Sequence, residues 1–282
     1  VFFKTSRYFF KKGTTMSKDG TSIGARMKIY ESHTNQRLMK LIPIYARVDG
    51  ICFHTFCKGL QKPFDEHLSD LMIDLTMDLA KEFNANCAYT QSDEISFAWN
   101  LEDYESEMFC DGRVLKFTSH LASKTSVKFN KMLFNYLPQK SNMEPCFDAR
   151  IMNLPNITEA ANMFLWRELD ATRNSVQMAG QAHFSHKQLH GKKGSEIQEM
   201  LWQEKKINWN DYPPAFKRGT FIIRRMVMKP PYVSKIPEQF KSKTPQVPVE
   251  RREFFKYDMP PFTKVANRER VLFFGEEPLT VS

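Results

Sequence analysis

Two acidic positions carry the chemistry that this sequence can do. Asp49-Gly50 closes a short apolar run that begins at Pro43, and Asp93-Glu94 sits between two further apolar runs. Mg²⁺ takes one or two carboxylates as hard oxygen ligands, with water and substrate phosphates completing its octahedron. Two such ions can activate an attacking hydroxyl and stabilise the charge on a departing phosphate. Asp49, Asp93 and Glu94 are therefore the catalytic candidates, with Asp93 having first claim on a metal over its neighbour. If the strands alternate regularly, Asp93 and Glu94 point to opposite faces. Gly50 leaves room for backbone and phosphate to approach each other. Each acid alone reads as an ordinary turn or cap residue; only the order of the surrounding elements brings them together.

That order follows from the hydrophobic pattern. Pro43 to Val48 reads as a buried strand stopping at a turn. Leu68, Leu71, Met72, Leu75, Leu79 and Phe83 recur at helical spacing over Asp65 to Phe83. Cys87 to Gln91 and Ile95 to Trp99 form a hairpin with Ser92-Asp93-Glu94 at its tip. Val114, Phe117, Leu121, Thr125, Phe129 and Met132 mark a second amphipathic helix, and Cys146 to Met152 supplies a fourth strand. Strand, helix, strand, strand, helix, strand is the split βαβ arrangement. The expected fold class is α+β: a ferredoxin-like, four-stranded antiparallel sheet with two helices on one face, followed by a helical, basic C-terminal region. In it the first strand and the hairpin are neighbours, so Asp49 and Asp93 converge at one edge. A long helix is expected from Thr158 towards Phe184, then a polar loop from His186 to Ser195 and a short helix from Glu196 to Lys205. The organisation reads as an N-terminal extension, poorly ordered, over 1–22; a catalytic domain over 23–154; a helical, basic region over 155–229; and a proline-rich arm of extended segments over 230–282.

With 282 residues, 41% of them hydrophobic and 26% charged, the chain is long enough for a sizeable core and is not of disordered composition. No run of about 18 apolar residues suggests a membrane-spanning helix, and Val1 to Phe10 is too interrupted for a secretory signal. Five scattered cysteines without a Cys-x-x-Cys pair fit free thiols in a reducing, cytoplasmic setting. Cys52, His54 and Cys57 lie close in sequence, but no second pair with zinc spacing follows them.

The net charge of +9 points to a polyanionic partner. From His183 to Lys229 ten Lys or Arg stand against four Asp or Glu, interleaved with Phe184, Trp202, Trp209, Tyr212 and Phe216. Such a surface meets phosphates while stacking on bases; a basic helix packed by its aromatics has the same composition. Lys62, Arg113 and Lys116 are candidate phosphate-binding cations, the last two one helical turn apart. The loop holding His186, Lys187, His190 and Lys192 reads as a contact for RNA or triphosphate, with Gly191 and Gly194 keeping it flexible.

Arg47-Val48-Asp49-Gly50, Phe53-His54, Lys62-Pro63-x-Asp65 and Ser92-Asp93-Glu94-Ile95-Ser96 occur in that order. Phe147-Asp148-Ala149-Arg150, Trp166-Arg167 and Lys217-Arg218-Gly219 follow. This series resembles the successive motifs of the histidine-tRNA guanylyltransferase superfamily, from about Arg26 to Gly219. The resemblance implies a polymerase-like palm working in the 3′-to-5′ direction. A 5′-monophosphate RNA end is activated with ATP or GTP, and the 3′-hydroxyl of an incoming nucleotide then attacks it. Asp49, the Gly50 carbonyl and Asp93 resemble the ligands of two Mg²⁺ ions. Asp49, Gly50, Ile51, Cys52, Phe53 and His54, with Ser92 and Asp93, resemble the nucleotide site, and Lys62, Arg113 and Lys116 fall where that family places phosphate-binding cations. Arg47, Arg150, Asn174, Lys217 and Arg218 join the loop residues as expected RNA or phosphate contacts. The resemblance further implies tRNA and nucleoside triphosphates as partners, no membrane, and a homotetramer.

One departure separates branches of that family. The branch that adds guanosine to histidine tRNA carries His-Ile-Asn-Asn after the Trp-Arg pair, whereas here the place reads Thr172-Arg173-Asn174-Ser175. With Asp170-Ala171 before it and Ser185 to Lys192 beyond, this resembles the guanylyltransferase-like branch, which implies template-directed repair of tRNA 5′ ends. Addition of a single 5′ G is the alternative. A palm enzyme that makes a cyclic nucleotide and a non-catalytic RNA-binding module are two further ones.

Overall fold

A computed structural model of the chain describes residues 22–229 and 248–281. The expected extension over 1–22, apart from Ser22, lies outside the described residues, as does the proline-rich stretch from 230 to 247. Helix α1 (Ile23–Ser32) precedes β1 (Ile44–Gly50), and the single turn α2 (Phe53–Phe56) follows that strand. Next come α3 (Glu66–Glu82), the hairpin of β2 (Cys87–Gln91) and β3 (Glu94–Trp99), α4 (Val114–Tyr136) and β4 (Phe147–Asn153). The four strands, α3 and α4 are the elements that the hydrophobic spacing demands; α1, which buries no residue, and α2 are not among them. The Asp65 carboxylate caps α3 by accepting the Leu68 amide at 3.0 Å, and also takes the Gln61 amide at 3.0 Å. Phe117, Leu121, Thr125, Phe129 and Leu133 of α4 are all buried, one every four residues, which sets a continuous stripe against the sheet.

The remainder of the chain consists of α5 (Ile157–His183), α6 (His186–Leu189), α7 (Gly194–Lys205), α8 (Pro214–Arg218), β5 (Thr220–Lys229), β6 (Val249–Tyr257) and α9 (Arg268–Phe274). The sheet has six strands in the order β4-β1-β3-β2-β5-β6, every neighbouring pair antiparallel. This corrects the expected four-stranded sheet, although the 4-1-3-2 core of the split βαβ unit is intact. Thr220 to Ile223 pairs with Thr90 to Cys87, and β5 then pairs along its length with β6. The β-branched run after Gly219 is a strand signal that the high charge of Arg224, Arg225 and Lys229 masks. Gly219 has φ +74°, and a Cβ there would collide with the Thr90 carbonyl. Only glycine lets β5 start this close to β2.

Helices on one face alone is the second correction. α3 and α4 cover Ile44, Ala46, Val48, Ile95 and Phe97. The opposite face, with Tyr45, Tyr89 and Ala98, is covered by Ala160, Ala161 and Phe164 of α5 and by Phe262, Val271, Leu272 and Phe273. All of β3 is buried, and a central strand in that state must be covered on both sides. Met259, Phe262, Val265 and Val271 to Phe273, within the stretch expected as an arm of extended segments, are therefore part of a core. A third cluster joins Val176, Ala179, Phe184, Leu189, Ile197, Leu201 and Trp209 under α6 and α7.

Glu168 of α5 ties the C-terminal segment down. Both of its carboxylate oxygens accept the Phe262 amide, at 2.8 and 3.1 Å, and the Arg218 Nε lies 3.9 Å away. Burial pushes its pKa up to about 7, with the Phe262 amide and Arg218 acting against that shift. The folded state therefore retains a proton that the unfolded chain has released, from the ordinary carboxylate range up to about pH 7. Stability should fall as pH rises through that window, by on the order of 2–3 kcal/mol in total. Urea unfolding of the wild type between pH 5 and 8 should show this fall, and Glu168→Gln should flatten it. Parallel pH profiles for the two proteins would remove Glu168 as the cause.

Candidate active site

Strand pairing sets the acids. Asp49 stands directly opposite Glu94 of β3 on one side and Asp148 of β4 on the other. Tyr45, Arg47 and Asp49 alternate onto the face covered by α5, as do Glu94 and Ser96, and the Tyr45 hydroxyl lies 2.7 Å from that of Ser96. Asp93 occupies the hairpin turn, where Ser92 has φ +50° and donates its hydroxyl to Asp93 Oδ1 at 2.9 Å. Burial holds the Asp93 carboxyl above its ordinary pKa; the Ser92 hydroxyl and a backbone amide oppose this, and the charge of Asp49 adds to it. Among the described residues neither Asp49 nor Asp93 forms a salt bridge. The two carboxylates thus share one site with no protein cation neutralising them.

Glu94 is in a different state. Arg167 of α5 donates Nε to its Oε1 and Nη2 to its Oε2, both at 2.7 Å. Arg167 also donates to Asp170 at 2.9 Å. Glu94 is 5% exposed, and burial raises its pKa although Arg167 and Arg47 pull it down. A carboxylate held by a bidentate guanidinium is suited to position its strand, since one lone pair on each oxygen is already used. The sequence marks Glu94 as a candidate and Arg167 as part of a motif, but nothing in their spacing pairs the two.

The turn after β1 is built around Phe53. Its ring packs on Phe56, Phe129 and Phe147 with centroids 5.0, 5.5 and 5.0 Å away. A Cβ on Gly50 would collide with this ring, so the room at Gly50 is taken by Phe53. Ile51, Cys52 and His54 are exposed, and Cys52 has φ +56°. The amides of Cys52, Phe53 and His54 make no backbone hydrogen bond among the described residues. Cys52, His54 and Cys57 do not cluster for a metal.

Beside the acids lies a cleft of about 460 Å³, lined by Asp49, Ser92, Asp93, Lys62, Asn174 and Thr220, with Leu68, Met72, Met178 and Phe216 as its apolar wall. Phe216 stacks on Phe64 at 5.0 Å, and Tyr212 meets Phe64 edge-on. The cleft brings together Asp49, Asp93, Lys62, Ser92 and Asn174. It does not include Arg113 and Lys116. These stand at the start of α4, where Cys110 and Phe117 line a separate hollow with Ile44 and Trp99. Within one chain that end of β1 is about 17 Å from Asp49.

Several expected RNA contacts are also redistributed. Lys217 is 8% exposed and donates to the Asn210 carbonyl over the Trp209 ring; burial lowers its pKa, helped by Arg218. Arg218 turns towards Glu168. Lys217 is an interior group and Arg218 a partly buried one, because α8 packs back on α5. Phe184 and Trp209 belong to the third core, while Trp202 remains half exposed near Lys206. His186, Lys187, His190 and Lys192 are exposed as expected, but on a helical turn capped by Ser185 and Gln188 and anchored by Leu189. Arg47 and Arg150 face each other across β1 and β4. No described helix is long and apolar enough to cross a membrane.

Arg167→Ala would leave the Glu94 carboxylate buried beside only Arg47, at a cost of about 3–5 kcal/mol. Urea unfolding measures this, and a loss below about 1 kcal/mol would show the pair to be dispensable.

Residues 24–155 match the model of the Thg1 family, described as tRNAHis guanylyltransferase. The tRNA(His) guanylyltransferase of Debaryomyces hansenii is 31% identical over 199 residues, covering 64% of this chain and 73% of that protein. A bacterial Thg1-like protein in complex with ATP superposes with a TM-score of 0.73 at 34% identity, covering 89% of this chain and 97% of its own. A bacterial Thg1-like protein in complex with GTP gives 0.67 at 31% identity, covering 86% and 94%. The sheet that pairs Asp49 with Glu94 and sets Asp93 in the turn beside them is thus one shared with solved relatives, and the chain belongs to the tRNAHis guanylyltransferase (Thg1) family of nucleotidyltransferases.

Proposed function

We propose that this nucleotidyltransferase uses Mg²⁺ to add nucleotides in the 3′-to-5′ direction to the 5′ end of tRNA, copying a template and so repairing shortened ends. The observation that carries this is the unneutralised Asp49–Asp93 pair at the edge of a cleft large enough for a nucleotide. Two carboxylates and the Gly50 carbonyl fit a hard divalent cation, which needs few protein ligands when phosphates complete its shell. Mg²⁺ bound there supplies Lewis acidity for phosphoryl oxygens and for the leaving group.

The chain's own residues do the rest. Lys62 balances the triphosphate, and the amides of Cys52, Phe53 and His54 donate to it from a turn that Phe53 holds rigid. Leu68, Met72, Met178 and Phe216 exclude water from the base, while Asn174 offers a polar edge. Glu94 and Arg167 position β3 so that Asp93 stays beside Asp49. The 5′-monophosphate of the RNA attacks the α-phosphorus of ATP or GTP, releasing pyrophosphate. The 3′-hydroxyl of the next nucleotide then attacks the activated 5′ phosphorus and releases the mononucleotide. The ATP- and GTP-bound bacterial relatives support both nucleotides as substrates. A cytoplasmic location, suited to the free thiols, and a homotetramer belong to the same proposal.

Template-directed repair, rather than dedicated tagging of histidine tRNA, is supported at Thr172. Its hydroxyl donates to the Glu168 carbonyl at 2.9 Å, so no imidazole and no free polar group reaches out from that position. Two assays test these assignments. Asp49→Asn should lower kcat by on the order of a hundredfold or more without unfolding the protein; an active variant would remove the acid pair from the chemistry. With Mg²⁺, ATP, labelled nucleotides and a 5′-monophosphorylated tRNA lacking its first nucleotide, growth should follow the complementary base. A single G added whatever the opposing base would instead mark a histidine-tRNA guanylyltransferase.

A further inference from the structure

Trp166 lies on the outer face of α5 with Asn162 and Leu169, between the interior Phe164 and Glu168, and is 51% exposed. Two guanidinium carbons fix it, that of Arg167 at 4.6 Å and that of Arg47 at 5.9 Å from the ring centroid. Arg47 lies two residues before Asp49 on β1, on the same face and about 7 Å along the strand. Its side chain is 15% exposed, and its Nε has no hydrogen-bond partner. The nearest carboxylate, Glu94, is 3.9 Å away and already held by Arg167. Arg150, directly opposite Arg47 on β4, adds a second cation at an exposed position and is paired with Asp148 at 3.3 Å. A largely buried arginine whose Nε lacks a partner, beside a half-exposed tryptophan and a second arginine, is suited to an anion that also carries a flat apolar group.

None of Trp166, Arg47 and Arg150 lines the nucleotide cleft, whereas Glu94 and Arg167 do. The Glu94–Arg167 pair therefore stands between two surfaces that both reach Asp49. Nucleotidyl transfer to a polynucleotide end requires two phosphorylated substrates at one pair of acids. We propose that Trp166 stacks the terminal base of the RNA end being extended, while Arg47 and Arg150 hold its phosphates, leaving the cleft to the nucleoside triphosphate. This rests on the nucleotidyl transfer proposed above. Stacking on an aromatic side chain tolerates any base, which suits an end whose identity changes with each addition.

The test uses the full chain with Mg²⁺, ATP and a 5′-monophosphorylated RNA hairpin that has an unpaired template base. Trp166→Ala should raise the KM for the RNA at least about tenfold while the KM for ATP stays within about twofold, and Trp166→Phe should recover most of the loss. Independently of turnover, titration with the same hairpin should quench tryptophan fluorescence in the wild type, with the quench lost in Trp166→Phe. Arg150→Ala should weaken RNA binding and reduce its salt dependence. Unchanged RNA KM and unchanged quenching in the Trp166 variants would overturn the assignment. So would altered sedimentation of Trp166→Ala with normal RNA KM, which would make the indole a protein contact. If the wild type extends no RNA, nucleotidyl transfer fails as the function, and the quench titration still decides whether Trp166 meets RNA.

Discussion

The bidentate contact between Arg167 and Glu94 joins the two parts of the molecule that make the site. Glu94 opens β3 immediately after Asp93 and pairs with Asp49, and it is nearly inaccessible to solvent. A carboxylate in that position is tolerated only with a partner of good geometry, and Arg167 reaches it from a helix more than 70 residues later in the chain. The pair thus fixes the distance between α5 and the acidic end of the sheet. The cleft and Asn174 depend on this distance, which the ion pair sets together with the packing of Phe164 on Tyr45.

Three consecutive residues of α5 divide the labour around it. Successive positions on a helix are turned by about 100°, so Trp166, Arg167 and Glu168 point three ways. Trp166 faces out beside Arg47, Arg167 faces the acidic end of the sheet, and Glu168 faces the C-terminal segment and holds the Phe262 amide. The residues after β6 therefore do more than complete a core. They fix the helix from behind, and the helix holds the catalytic end of the sheet from above.

The cations are less uniform than the net charge suggests. Lys217 spends its charge inside the protein on a carbonyl, and the partly exposed Arg218 is directed at Glu168. Arg113 and Lys116 lie at the other end of α4, away from the acids of their own chain. Lys62, Arg47 and Arg150 are the members of the candidate set near Asp49, split between the cleft and the face beside it. Charge counted along a sequence window measures neither depth nor direction.

Periodicity by itself determined the split βαβ core, the limits of α3 and the buried face of α4, the hairpin with Asp93 at its tip and the closeness of Asp93 to Asp49. These are local consequences of side-chain spacing, and strand order turns them into proximity. The motif series determined the family in the same way, residue by residue. Only the tertiary structure decided the rest. β5 and β6 join the sheet because Thr220 finds Thr90 some 130 positions earlier, a pairing that no local pattern encodes. Glu94 became a positioning group and Lys217 an interior one because burial depends on what packs above a side chain. Phe53, not a phosphate, fills the space at Gly50 for the same reason. Spacing along a chain says which residues share a face, and only packing between distant segments says which of those faces remain open to a substrate.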